Sequence, residues 1–260
     1  MDHLGHALRG AVQTTPVAAS TWQRAIVIGG GGTLGSAVLA EALVAGRFAS
    51  VWALAAGSWP STLRGLKPLT AEALRQPGAW SADLGLIVFE RGRHANRRDE
   101  AFVLPEPGEL PAWARRLHAG GVKRLVVVLP HAPALLPHAL KAGLATLDEA
   151  AVAAIGFEHL VFVRAAQAQA APRAPGWVQR AADLWLAQLR WMIPQSEQPL
   201  RAAVLAAHVV ALARALPTLP HGTRVLSPER LWSAAQPVSS QENADADERL
   251  AAWWRGVPPV

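Results

Sequence analysis

Short apolar runs alternate with amphipathic stretches along most of the chain. Ala25-Ile26-Val27-Ile28 is continuously apolar, as a strand buried on both faces of a parallel sheet requires. It runs into Gly29-Gly30-Gly31-Gly32-Thr33-Leu34-Gly35. Ser36 to Ala45 then predicts a helix with Val38, Leu39, Ala42 and Leu43 on one face and Gly46 as its stop. Ser50 to Ala55 and Leu84 to Phe89 predict two more strands, and Pro111 to His118 a helix ended by Gly120-Gly121. Lys123 to Leu129 (KRLVVVL) is the clearest strand. Leu135 to Ile155 reads as mostly helical, closed by Gly156, and His159 to Val163 as the next strand. Strands alternating with helices of this length predict an α/β fold, a doubly wound parallel sheet covered on both faces.

From Pro172 the pattern changes. Trp177 to Met192 is amphipathic, with Val178, Ala182, Trp185, Leu189 and Met192 on one face. Leu200 to Leu216 is apolar on nearly all sides and predicts a buried helix, and Arg224 to Ser227 a last short strand. Together these predict a small, mostly helical C-terminal cap. Residues 1–22 read as a loose leader, 23–235 as the main domain and 236–260 as a polar linker and tail. The tail's Trp253-Trp254 pair is expected to dock on the body or on a second subunit, so a homodimer is one arrangement left open.

Composition narrows the classes. With 51% hydrophobic and 17% charged residues in 260, the chain is not of the disordered type. The net charge of +6 invites a nucleic-acid reading, but the basic residues are scattered and only three of the 25 are lysine (Lys67, Lys123, Lys141). No nucleic-acid partner is expected. The longest nearly apolar stretch, Ala202 to Ala213, is about half the ~20 residues of a membrane span, so no membrane partner is expected either. Cysteine is absent, and the opening MDHLGHALRG lacks the basic-then-apolar pattern of a secretory signal; the expectation is a cytoplasmic protein. No His and carboxylate cluster has metal-ligand spacing, and no metal is expected. Tyrosine is absent too.

The spacing Gly29-x-x-Gly32-x-x-Gly35 follows a strand and opens a helix, the context that a dinucleotide fingerprint needs. The first glycine permits a tight turn, the second lets backbone N–H groups approach a pyrophosphate, and the third lets helix and strand pack closely. The helix N-terminus adds unpaired donors and a partial positive charge. Gly29, Gly32, Thr33, Leu34 and Gly35 are therefore the candidate cofactor-binding residues. An NAD site usually carries an acid about 20 residues further on; here that segment reads Ala55-Ala56-Gly57-Ser58. Its lack of a carboxylate, with Ser58 or Arg64 free to meet a 2′-phosphate, favours NADP over NAD by a small margin. A site without ribose selectivity reads nearly as well.

At these residues the chain resembles the atypical and extended short-chain dehydrogenases. AIVIGGGGTLGSAVLAEALVAGRFASVWAL is similar to their first βαβ unit, and the resemblance continues through ADLGLIVFERGR, ARRLHAGGVKRLVVVLP and ALKAGLATLDEAAVAAIGFEHLVFVR. The nearest branch is the NADPH-binding one with Tat-interacting-protein-like and sugar-epimerase-like members. The resemblance implies a Rossmann-like fold and hydride transfer between nicotinamide and a carbonyl or alcohol, with a Tyr-x-x-x-Lys pair supplying the proton. Lys141 in ALKAG matches that Lys, but Pro137 stands where Tyr belongs, and the strand-end hydroxyl is replaced by Leu129-Pro130-His131. Of the Arg-Pro step after the next strand, Arg164-Ala165 keeps the Arg. Fold and nucleotide site are implied; the reaction is not.

Substitute proton donors are His138, beside the missing Tyr, and His131 at the strand end, since imidazole titrates near neutrality. Lys141 could hold a ribose. The two histidines read more readily as partly solvated residues of a Pro-rich loop, and Lys141 reads equally as a surface lysine. Arg91, Arg93, Arg97 and Arg98 form one basic cluster, balanced by Asp99 and Glu100. His208 reads as a hydrogen-bonded histidine of an apolar helix. Three functions stay open: a dinucleotide-responsive binding or regulatory protein, an NADPH-dependent reductase of a small carbonyl molecule, and a protein-interaction scaffold that binds no cofactor.

Overall fold

Alternate residues of the strands enter two separate apolar layers, which is why the central strand sequences are largely apolar. The structure, a computed structural model, describes residues 23–44, 47–61, 63–76, 78–90, 99–131, 146–166, 201–235 and 256. In chain order these form β1 (Arg24–Ile28), α1 (Gly32–Ala42), β2 (Ser50–Ala55), β3 (Leu66–Thr70), β4 (Leu84–Val88) and α2 (Leu110–Ala119). Then come β5 (Arg124–His131), α3 (Leu147–Ala153), β6 (His159–Ala166), α4 (Ala202–Ala215), β7 (Gly222–Leu226) and α5 (Pro228–Ala235).

The seven strands make one sheet in the order β3-β2-β1-β4-β5-β6-β7, and every pairing is parallel. On one face Val27, Val88 and Val161 pack with Val38 and Leu39 of α1 and Val209 and Val210 of α4. On the other, Ile26, Ile87 and Phe162 pack with Trp113 and Leu117 of α2 and Val152 of α3. The fold is the doubly wound α/β class. The chain winds outward from β1 to β3, then crosses back to β4 on the other side of β1. This reversal opens a crevice at the carboxyl ends of β1 and β4, where doubly wound sheets take their ligands.

Several boundaries differ from expectation. The first helix starts at Gly32, not Ser36, because its opening turn lies inside the glycine run, where no apolar period can be read. The strand β3 (LKPLT) and the helix α5 (PERLWSAA) were not anticipated. At the sheet edge β3 tolerates Pro68, which a central strand would not. The helix α4 buries one face rather than all sides, since Ala203 and Val204 are exposed. Within the expected Leu135 to Ile155 helix, the described part is α3, capped by Thr146, and Gly156 follows it at φ 92°. The expected leader, the Trp177 to Met192 helix and the tail with Trp253-Trp254 lie outside the described residues. Among the described residues, no helix is long and apolar enough to cross a membrane.

Candidate functional site

The glycine turn sits at the switch point between β1 and β4. Gly29 has φ 85° and Gly32 φ 73°, left-handed conformations that a side chain would strain. A Cβ on Gly29 would run into the Val88 carbonyl of β4, and one on Gly35 into the Gly29 carbonyl. Gly35 thus lets α1 lie directly against the end of β1. The tight turn and the close helix–strand contact that the spacing predicted are both in place.

At the start of α1 the backbone amides are already gripping an anion. The Thr33 N–H donates to Glu90 Oε1 at 3.0 Å and the Leu34 N–H to Glu90 Oε2 at 3.1 Å. Glu90 follows β4 almost directly, so the crossover that makes the crevice also delivers this carboxylate. The helix has no acid in its own first turn, and its N-cap, Gly31, has no side chain to offer. The carboxylate therefore supplies from another element the charge complement that a helix N-terminus favours. A Cβ on Gly32 would meet the same carboxylate group.

The neighbouring end of the crevice is covered by the segment that follows. The Ala56 N–H donates to the Ala101 carbonyl at 2.9 Å and the Val103 N–H to the Leu54 carbonyl at 3.0 Å, with Ala55 and Phe102 in antiparallel register. The Phe102 ring meets Trp59 edge-on at 5.9 Å, and a Cβ on Gly30 would touch it. Ser58 and Arg64 are exposed beyond this crossing.

Of the proposed proton-transfer residues, His131 ends β5 opposite Ala166 at the carboxyl edge of the sheet. Its side chain, together with His138, Lys141 and the Arg91–Arg98 cluster, lies outside the described residues. Arg164 is fully buried in β6, and its Nη2 donates to Glu149 Oε2 of α3 at 2.8 Å. The Thr146 hydroxyl accepts from the Glu149 N–H at 3.1 Å. His208 is half-buried, its Nδ1 2.7 Å from the Val204 carbonyl oxygen. Among the described residues, no group of three or more His, Cys, Asp or Glu could hold a metal ion.

A second polar group lies at the opposite, amino edge of the sheet. His159 opens β6 and is buried, its ring edge-on to His221 at 4.8 Å. Among the described residues, its Nδ1 and the Nε of neighbouring Arg124 have no hydrogen-bond partner. Burial, and then the charges of His221, Arg124 and Arg224, push the His159 pKa down to about 4 against an opposing pull from Glu158. This imidazole is neutral and unsuited to carrying a proton near neutrality.

Glu90 and Phe102 are the residues that sequence reasoning missed. An acid immediately after a strand run is a visible signal, but its meaning depends on that strand lying beside β1, which a single sequence does not announce.

Strand order and glycine turn define a Rossmann-like α/β protein. No protein-family model matches the chain, and no curated protein matches it. Among solved structures it is similar to the Bordetella bronchiseptica enzyme WbmG in complex with NAD and UDP, at 15% identity over 89% of this chain and 84% of that one, TM-score 0.48. A nucleoside-diphosphate-sugar epimerase from Staphylococcus aureus is 14% identical over 78% and 71% of the two chains, TM-score 0.45. A UDP-galactose 4-epimerase is 12% identical over 78% and 76%, TM-score 0.45. Likenesses this distant carry no argument about the chain, whose class rests on its own strand order.

Proposed function

We propose that this protein is a dinucleotide-responsive binding protein: it takes NAD(P) at the glycine turn and does not carry out Tyr-dependent hydride transfer. The observation that carries the reading is the grip of the Thr33 and Leu34 amides on a carboxylate. A cradle that holds one anion at 3.0–3.1 Å has the donors a pyrophosphate needs. The left-handed Gly29 and Gly32 form the turn that leads into those donors. Gly29, Gly32, Thr33, Leu34 and Gly35 would hold the diphosphate. Ser58 and Arg64, with no acid in Ala55-Ala56-Gly57-Ser58, leave room for the extra phosphate of NADP. A bound nicotinamide would offer a hydride. The chain, having no tyrosine, lacks its resemblance family's usual acid to accompany it.

A second reading, a scaffold that binds no dinucleotide, draws support from Glu90 and Phe102 lying in the crevice. Titration calorimetry of the full chain with NADPH and NADH separates the two. Heat with a saturating isotherm is expected. No heat with either at millimolar ligand overturns the binding reading in favour of the scaffold. Steady NADPH consumption with a small carbonyl compound would overturn the non-catalytic part and turn attention to His131, His138 and Lys141.

A further inference from the structure

We infer that Glu90 is a built-in competitor for the phosphates, and that it sets the affinity and charge preference of the crevice. This rests on the dinucleotide reading above and concerns its regulation. The two amides that a diphosphate must use each have one hydrogen, and both hydrogens are already committed to the Glu90 oxygens. Carboxylate and phosphate therefore cannot hold Thr33 N–H and Leu34 N–H together. Nor can Glu90 simply remain beside an arriving phosphate, because two anions would then share one half-buried helix end.

Glu90 is suited to this role for reasons that a routine helix cap would not require. It comes from a separate element, 56 residues from Leu34 in sequence, so it can leave without unwinding the helix. With Gly31 as N-cap and no acid in the first turn, α1 offers no side chain of its own to these amides, so Glu90 and an incoming phosphate are the anions that contend for them. Gly32 serves either occupant, since a side chain there would fill the space that the Glu90 carboxylate takes. Binding is thereby coupled to displacement of the Glu90 carboxylate from the two amides. A ligand without phosphates meets no such competition, because it does not need these amides.

The test is calorimetry of ADP and NADPH against the full-length wild type, Glu90→Gln and Glu90→Asp, with circular dichroism as the check on folding. Glutamine keeps the shape but removes the charge; aspartate keeps the charge on a shorter reach. Both variants are expected to bind ADP and NADPH about 10- to 100-fold more tightly, as removal of a competing closed state does. The Thr33 and Leu34 amide resonances should move on ADP addition in all three proteins. Equal affinities in wild type and both variants would overturn the competitor while leaving dinucleotide binding intact. Weaker binding by the variants would make Glu90 a ligand contact and also overturn it. Absence of binding in every folded protein would remove the dinucleotide reading itself, and the competitor with it.

Discussion

The two ends of the sheet handle buried charge in opposite ways. At the carboxyl end, Glu149 lies under Arg164 and Glu90 on two backbone amides, so each carboxylate meets positive charge or donors. At the amino end, His221, Arg124 and Arg224 outweigh Glu158 around His159, whose Nδ1 has no hydrogen-bond partner among the described residues. The carboxyl end meets its carboxylates with a buried guanidinium or backbone donors; the amino end keeps its ion pairs, Arg24–Asp83 and Lys123–Glu158, partly exposed and tolerates its buried histidine only while that is neutral. Within the carboxyl end there is a further contrast. The Arg164–Glu149 pair is sealed from water, whereas Glu90 is half-buried on donors that another anion could use. A sealed pair is structure, and an accessible one can be exchanged.

The sharpest way to break this contrast is to remove one member of the sealed pair. Arg164→Met leaves Glu149 buried without its guanidinium and is expected to cost about 3–5 kcal/mol, because breaking a buried ion pair by removing one member is strongly destabilising. Thermal denaturation should register a fall of about 10 °C or more. Arg164→Met combined with Glu149→Leu should recover most of the loss, since an apolar replacement of both partners is close to neutral. A single variant that melts within about 2 °C of wild type would mean that the pair is not sealed.

This pair also marks how far the sequence could be read. Arg164 was visible as the Arg matching the resembled family's Arg-Pro step, and Glu149 lay unremarked inside the expected Leu135 to Ile155 helix, but nothing local joins residues 15 apart. The central strands were legible because both-face burial makes them apolar, so β2 and β4 were expected over their full extent, β1 all but one residue, and β6 over its first five residues of eight. Edge strand β3 was not, because one exposed flank let Lys67 and Pro68 in. The glycine turn was legible because glycine spacing reports backbone conformation directly. What filled the crevice was not, because Glu90 and Phe102 reach it only through the strand order. Long-range pairing lives in topology, and topology is the part that periodicity leaves open.

The amino end should fail by acidification rather than by mutation. An unfolded histidine binds its proton near pH 6.5, while His159 in the fold does so at about 4. Between those values the unfolded chain holds more protons, so stability rises with pH across the window and levels off above it. The full shift corresponds to about 3 kcal/mol. Melting temperatures taken from pH 7.5 down to 4.5 should fall through this range. His159→Phe, which cannot take a proton, should flatten the fall. If the variant keeps the wild-type slope, the titrating group is another one. Asp83 and Glu158, whose carboxyl groups stay ionised below their usual range, act only at still lower pH: burial opposes their charge, and bonds from Arg24 and Lys123 outweigh it.

The smallest expected effect separates support from exchange at the carboxyl end. Thr146 caps α3 by accepting from the Glu149 N–H, while α1 has no cap of its own and borrows Glu90. Thr146→Ala should cost about 1 kcal/mol, the ordinary value of a lost N-cap, and lower the melting temperature by a few degrees. Its loss should be less than additive with that of Arg164→Met, because cap and guanidinium hold the same residue in place. Affinity for ADP should not change, because neither group lies at the glycine turn. Loss of Glu90's charge, in contrast, should cost a similar small amount of stability and move ADP affinity strongly. If Thr146→Ala moved ADP affinity as Glu90→Gln does, the helix start at α3 would be part of the binding apparatus, and the division between a sealed and an exchangeable carboxylate would fall.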